Sequence, residues 1–180
     1  MKKIFVLALC MGLINGLSAQ ERNSKFDVKF GAGFGFMGSG DMLTLSLENE
    51  LNYKINNFLT VAASFGYGKG ERGVHDLTAY TMGSVNVFVS PFRNNKRNNL
   101  RIGGGASVFN HTNVYTKSWN DQDGSTYDFF RNKTTGFNVI LEDEQRIGSH
   151  LLIGIKAYMT AGAAQGGIVS GAMIKAGVIL

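Results

Sequence analysis

The sequence has one cysteine, Cys10, and one proline, Pro91. A single thiol cannot build a disulfide framework or a cysteine-ligated metal centre. One proline rules out a proline-rich linker. Charged residues make up only 17% of the chain and form no dense basic stretch, so nucleic acid is not an expected partner. After the first twenty residues no apolar run is long enough to cross a bilayer as a helix. Disorder is excluded from the other side, because 13 Phe and 6 Tyr are far too many for a chain that cannot bury apolar surface. What is abundant is glycine, at 24 residues. Glycine weakens helix interiors, but it suits strands that curve tightly around a narrow interior.

The first residues have the composition of an export signal. Lys2 and Lys3 form a positive start, Ile4 to Leu17 a mostly apolar stretch, and Gly16-Leu17-Ser18-Ala19-Gln20 supplies small residues for cleavage. The expected division is therefore residues 1–19 as a cleavable signal peptide and 20–180 as one β-barrel domain. Cleavage would remove Cys10, and the loss of Lys2 and Lys3 would lower the formal charge from +5 to +3.

Beyond the signal the dominant pattern has period two, the repeat of a strand whose side chains alternate between faces. In the first segment Phe26, Val28, Phe30, Ala32, Phe34 and Phe36 share one face, and Asp27, Lys29, Gly31, Gly33 and Gly35 the other. In the second, Leu43, Leu45, Leu47, Leu51, Tyr53 and Ile55 oppose Thr44, Ser46, Glu48, Glu50, Asn52 and Lys54, and Asn49 interrupts the apolar face. The third sets Leu59, Val61, Ala63, Phe65 and Tyr67 against Thr60, Ala62, Ser64 and Gly66. The fifth to eighth segments centre on Leu100 to Val108, Phe137 to Leu141, Leu151 to Met159 and Ala172 to Leu180. The fourth is regular from Ser84 to Ser90, and a bulge is expected near Tyr80 and Met82. Asn56-Asn57, Arg93 to Asn98 and Arg146 to Ser149 read as short polar turns. Met37 to Asp41, Gly68 to Asp76, Ser118 to Thr126 and Ala163 to Gly166 connect the opposite ends. The fold class is all-β, an eight-stranded antiparallel transmembrane barrel.

With the apolar face toward lipid, the inward face carries five acids (Asp27, Glu48, Glu50, Glu142, Glu144) and five bases (Lys29, Lys54, Arg101, Lys156, Lys175). An unpaired charge in a narrow interior is very costly, so this balance predicts an interior charge network that plugs the barrel. Strand neighbours suggest Lys29 with Glu48 or Glu50, Arg101 with Glu142 or Glu144, and Asp27 with Lys175. Aromatics are expected in two belts: Phe26, Tyr53, Phe58 and Phe92 at one rim, and Phe34, Phe36, Phe65, Tyr67, Tyr115, Trp119, Phe129 and Phe130 at the other.

The arrangement resembles the small outer-membrane β-barrel families of the OmpA transmembrane-domain, OmpX and OmpW kind, from about Lys25 to Leu180. The last strand, with Ile174, Ala176, Val178 and Leu180, resembles the apolar terminal strand of such proteins, although Leu180 stands where Phe is usual. The resemblance implies a bacterial outer-membrane location, contact with outer-membrane lipid and lipopolysaccharide, and passage through the barrel-assembly machinery. It also implies a structural, envelope-maintenance or surface-interaction role, with the extracellular loops available to an unidentified partner. Two alternatives come with it. One is a small porin or a hydrophobic-solute transporter of the OmpW kind, to which inward Met82, Phe88, Phe109, Leu152, Tyr158, Val169 and Met173 point. The other is a lipid A-modifying enzyme. A His-x-Ser pair of the deacylase kind would begin at His111, but Asn113 occupies the Ser position and no base lies adjacent, so no catalytic residue is assigned. His75 and His150 fall in or beside connections, so no metal site and no cofactor are expected. Gly31 to Gly35 and Gly103 to Gly105 lack the Lys-Ser/Thr and strand-to-helix setting of phosphate loops and are read as barrel glycines.

Overall fold

The computed structural model describes residues 25–38, 42–72, 76–92, 98–118, 126–162 and 168–180. The expected export signal, with Cys10, lies outside them, as do His75, Trp119 and the whole 163–166 connection. Among the described residues every regular element is a strand. They are β1 (Phe26–Met37), β2 (Met42–Lys54), β3 (Leu59–Arg72), β4 (Asp76–Val89), β5 (Asn98–Ser118), β6 (Thr126–Ile147), β7 (Leu151–Gly162) and β8 (Ile168–Ile179). Each pairs antiparallel with the next, and β8 pairs with β1 to close the barrel.

The pairing fixes the geometry. From Val28 the cross-strand partners run through Leu51, Ala63, Val85, Ala106, Phe137, Ala161 and Ile168. The Gly38 amide then donates to the Ile168 carbonyl at 2.8 Å, which returns the circuit to β1 ten residues above its start. Eight strands with this stagger tilt by about 40° and enclose an interior that side chains alone can fill.

The polarity is the inverse of a soluble globule. Phe34, Phe137 and Ile174 on the outer face are 60%, 75% and 64% exposed, while Arg101 and Glu142 inside are at 0%. A soluble ligand-carrying barrel needs the opposite arrangement, so the outer face is a lipid-facing surface. The face assignment expected from alternation holds through all eight strands. At the β1 end, Phe26 and Tyr53 stack with ring centroids 4.9 Å apart, and Phe58 and Phe92 are exposed nearby.

Three expectations are corrected. First, β4 carries no bulge: its ladders to β3 and β5 are unbroken, with Tyr80 and Met82 buried on the inward face. The alternation looked broken because Thr81 and Gly83 occupy outward positions. The register irregularity lies instead between Thr116 and Ser118 of β5. Second, the connection after β3 is shorter than the polar segment that suggested it, because the strands continue to the Arg72↔Asp76 pair, whereas β5 and β6 meet at the expected Ser118↔Thr126 pair. The turn after β6 comprises Gly148, Ser149 and His150, with Gly148 at a φ of 67° that suits glycine. Third, β5 and β6 are 21 and 22 residues long and outrun their neighbours. β7 pairs with β6 only as far as Gly136, so among the described residues Thr126–Thr135 pairs with β5 alone and rises with it as a ribbon beyond the closed wall, while β4 flanks the other side of β5 as far as Val114. Phe129 and Phe130 sit on this ribbon rather than in a rim belt.

Candidate functional site

The ten expected charges all meet inside the end of the barrel that holds the start of β1 and the short turns. Inward parity brings each to the lumen, and small neighbours make room for it. A side chain at Gly31 would crowd Lys175, and one at Gly177 would crowd Lys29. A Cβ at Gly103 would lie 2.5 Å from the ring of Phe88, which itself lies under Arg101, with the guanidinium carbon 4.1 Å from its centroid.

Arg101 is the hub. Its Nη2 lies 2.9 Å from carboxylate oxygens of Glu50, Glu142 and Glu144 alike, and its Nη1 donates to Asn52 Oδ1 at 3.0 Å. Lys175 Nζ is 2.7 Å from Glu50, 3.2 Å from Glu48 and 3.5 Å from Glu142. Lys156 Nζ donates to both Glu48 oxygens, at 2.6 and 2.8 Å. Lys29 contacts Glu144 and lies 3.5 Å from both Glu142 and Asp27. Lys54, partly exposed at the rim, closes the set 3.2 Å from Asp27.

Two of the expected strand pairings occur in register, Lys29 with Glu50 and Arg101 with Glu142. The third does not. Asp27 lies opposite Ile179 and bonds to Lys29 and Lys54, whereas Lys175 lies opposite Gly31, higher up the seam, and bonds to Glu48, Glu50 and Glu142. Contacts across the lumen were also unforeseen, since alternation identifies ladder neighbours but not groups that meet over the axis. The space lined by Lys29, Glu142, Glu144 and Lys175 holds no void the size of a water molecule.

The other half of the lumen is filled differently. Ser46 Oγ and Tyr80 Oη share a 2.8 Å hydrogen bond, Asn138 donates to Asn86 at 2.8 Å, and Thr160 donates to Asn138 at 2.9 Å. Around and above them pack Met37, Met42, Met82, Phe109, Val169 and Met173. Phe88 and Leu152, expected in this apolar lining, belong to the charged half. His111 is inward and buried, its ring 5.4 Å from Phe109 and 6.0 Å from Phe130, and its Nδ1 has no hydrogen-bond partner. Across the ladder it faces Tyr80 and Asn132.

The fold is that of the small outer-membrane β-barrels. Among solved structures it is similar to the Neisserial surface protein A, at 13% identity and a TM-score of 0.63 over 87% of this chain and 98% of that one. It is similar to the outer membrane protein OprG from Pseudomonas aeruginosa, at 9% identity and a TM-score of 0.61 over 86% and 95%. The attachment invasion locus protein Ail of Yersinia pestis follows, at 12% identity and a TM-score of 0.56 over 86% and 95%. These are bacterial outer-membrane proteins, in agreement with the location expected from the sequence. No protein-family model and no curated protein matches the sequence.

Proposed function

We propose that the protein is an integral outer-membrane barrel with a closed interior, and that it works through its outward-projecting β5–β6 ribbon as a surface-interaction module. The observation that carries this reading is the contrast between a lumen blocked by ten mutually paired charges and a ribbon with aromatics open to solvent. Tyr127, Phe129 and Phe130 are 45%, 76% and 51% exposed, beyond the level where the wall is complete. Aromatic side chains offer large contact area at low entropy cost. Exposed Lys69, Arg131 and Lys133 lie near the same end of the wall, where the phosphates of lipopolysaccharide would meet them. One of the similar proteins, Ail, has been solved with the heparin analogue sucrose octasulfate, an anionic ligand that such a basic rim would suit.

Hydrophobic-solute passage is the second reading, favoured by the methionine and aromatic cluster in the outer half of the lumen. The unbroken pairing around the wall counts against a lateral exit. No catalytic role is proposed, because His111 faces aromatic and amide groups rather than a carboxylate and a nucleophile. Planar-bilayer recording of the folded protein is the test. The plugged barrel gives no steady conductance, and a stable ohmic channel would overturn the closed-lumen reading.

A further inference from the structure

Among the described residues, the lipid-facing wall contains one polar side chain far from either rim. Asn49 is exposed on the outer face of β2, flanked across the ladders by Phe30 and Phe65. Along β2 it lies four residues from Tyr53 of the aromatic rim. At about 3.4 Å per residue and a tilt of about 40°, that places it roughly 10 Å into an apolar band about 25 Å tall, close to its middle. Outward residues at similar depth are apolar or small: Ala32, Ala63, Val85, Val139 and Ile174. The Asn49 side chain makes no hydrogen bond to any described residue, and its backbone belongs to the ladders with β1 and β3. In hydrocarbon no solvent can satisfy the amide, so the exposure is unfavourable unless a partner supplies donor and acceptor.

Asn49 also stands at the head of a groove. An open concavity of about 460 Å³ runs down the wall from Asn49 toward the short-turn rim, lined by Val28, Phe30, Ile153, Ala176 and Val178 among others. Its floor is low because Ala176 stands among larger outward residues. An acyl chain would fill such a groove but would leave the amide unsatisfied.

We propose that this face is a self-association surface, and that its occupant is a second copy of the same chain. Symmetry is the argument. A two-fold axis along the membrane normal places every residue at the same depth as its own copy. A carboxamide carries both donor and acceptor, so two Asn49 side chains meeting near that axis satisfy each other with paired hydrogen bonds. The two grooves are then covered by the aliphatic and aromatic residues beside them. A different protein would need its own polar group at this depth, which a second copy supplies automatically. Interhelical hydrogen bonds in lipid contribute modestly, so the pairing makes a reversible dimer rather than an obligate one.

The test is sedimentation equilibrium of the folded protein in density-matched detergent micelles, wild type against Asn49→Leu. The wild type is expected to show a monomer–dimer equilibrium, and the variant to weaken it about tenfold. Asn49→Leu should keep its heat-shifted gel migration and resist urea at least as well as wild type, because leucine is at home in lipid. A second variant, Leu51→Cys, keeps Asn49 and places a thiol on the same face. A short bis-maleimide should capture it as a dimer, whereas Val85→Cys on β4 should remain monomeric. A wild type that stays monomeric at every protein-to-detergent ratio overturns the proposal. So does Asn49→Leu associating as tightly as wild type, or equal capture at positions 51 and 85.

Discussion

The two halves of the lumen solve one packing problem with opposite chemistry. At the short-turn end, ten charged groups fill the space and hold strands together across the axis. At the ribbon end, methionines, aromatics and neutral hydrogen bonds do so. A buried ionic cluster gives little net stability, because desolvation offsets attraction, yet breaking it is expensive. An apolar core behaves the other way: its loss scales with the volume removed, and swaps that conserve volume are tolerated. The comparison therefore predicts a half that is intolerant of single changes and a half that is forgiving.

The sharpest way to break it is Arg101→Met, which leaves Glu50, Glu142 and Glu144 facing one another without their shared cation. The loss should be about 3–5 kcal/mol, read as a lower urea midpoint in lipid and loss of the heat-shifted band. Pairing that change with Glu142→Gln should recover part of the loss, and a strictly additive double variant would show that the hub is not a coupled unit. Next comes Phe109→Ala in the apolar half, with a cost of about 3 kcal/mol set by the cavity it leaves. Met82→Leu should cost less than about 1.5 kcal/mol, and a larger loss would mean the outer half is as exacting as the charged one. Smallest in stability is the joint replacement of Tyr127 and Phe129 by Ser on the ribbon. The urea midpoint should move by no more than about 0.5 kcal/mol, while binding of lipopolysaccharide or of whole-cell surfaces should fall if the ribbon is the working part.

Much of this contrast was legible in the sequence, for a physical reason. A barrel with lipid outside tolerates few exceptions to alternation, so the parity of Phe26 to Phe36 or of Leu43 to Tyr53 assigns each face, and the ten inward charges follow directly. The same argument failed where lipid exerts no selection. Beyond the membrane, Thr126–Thr135 carries aromatic and polar residues on both faces, so alternation identified the sixth strand only from Phe137 onward and Phe129 and Phe130 read as part of a rim belt. On β4, Thr81 and Gly83 hid a regular strand behind an imitation of a bulge. The meeting of Arg101 with Glu50 was beyond reach because they come from β5 and β2, and a linear pattern does not encode which side chains reach across a lumen.

The stagger that closes β8 onto β1 also orders events in time. Lys175 is 127 positions from the Glu48 oxygen it binds, and β3 and β4 add no member to the ionic cluster. The first half of the chain thus presents Asp27, Glu48 and Glu50 with only Lys29 and Lys54 to answer them. Their remaining partners arrive with β5, β7 and β8. A half-inserted sheet is left with unanswered carboxylates, and only the last strand completes their neutralisation. Such long-range contacts make folding slow, and they tie the final electrostatic settlement to the closing of the seam, so that the finished cylinder is favoured over any partly built one.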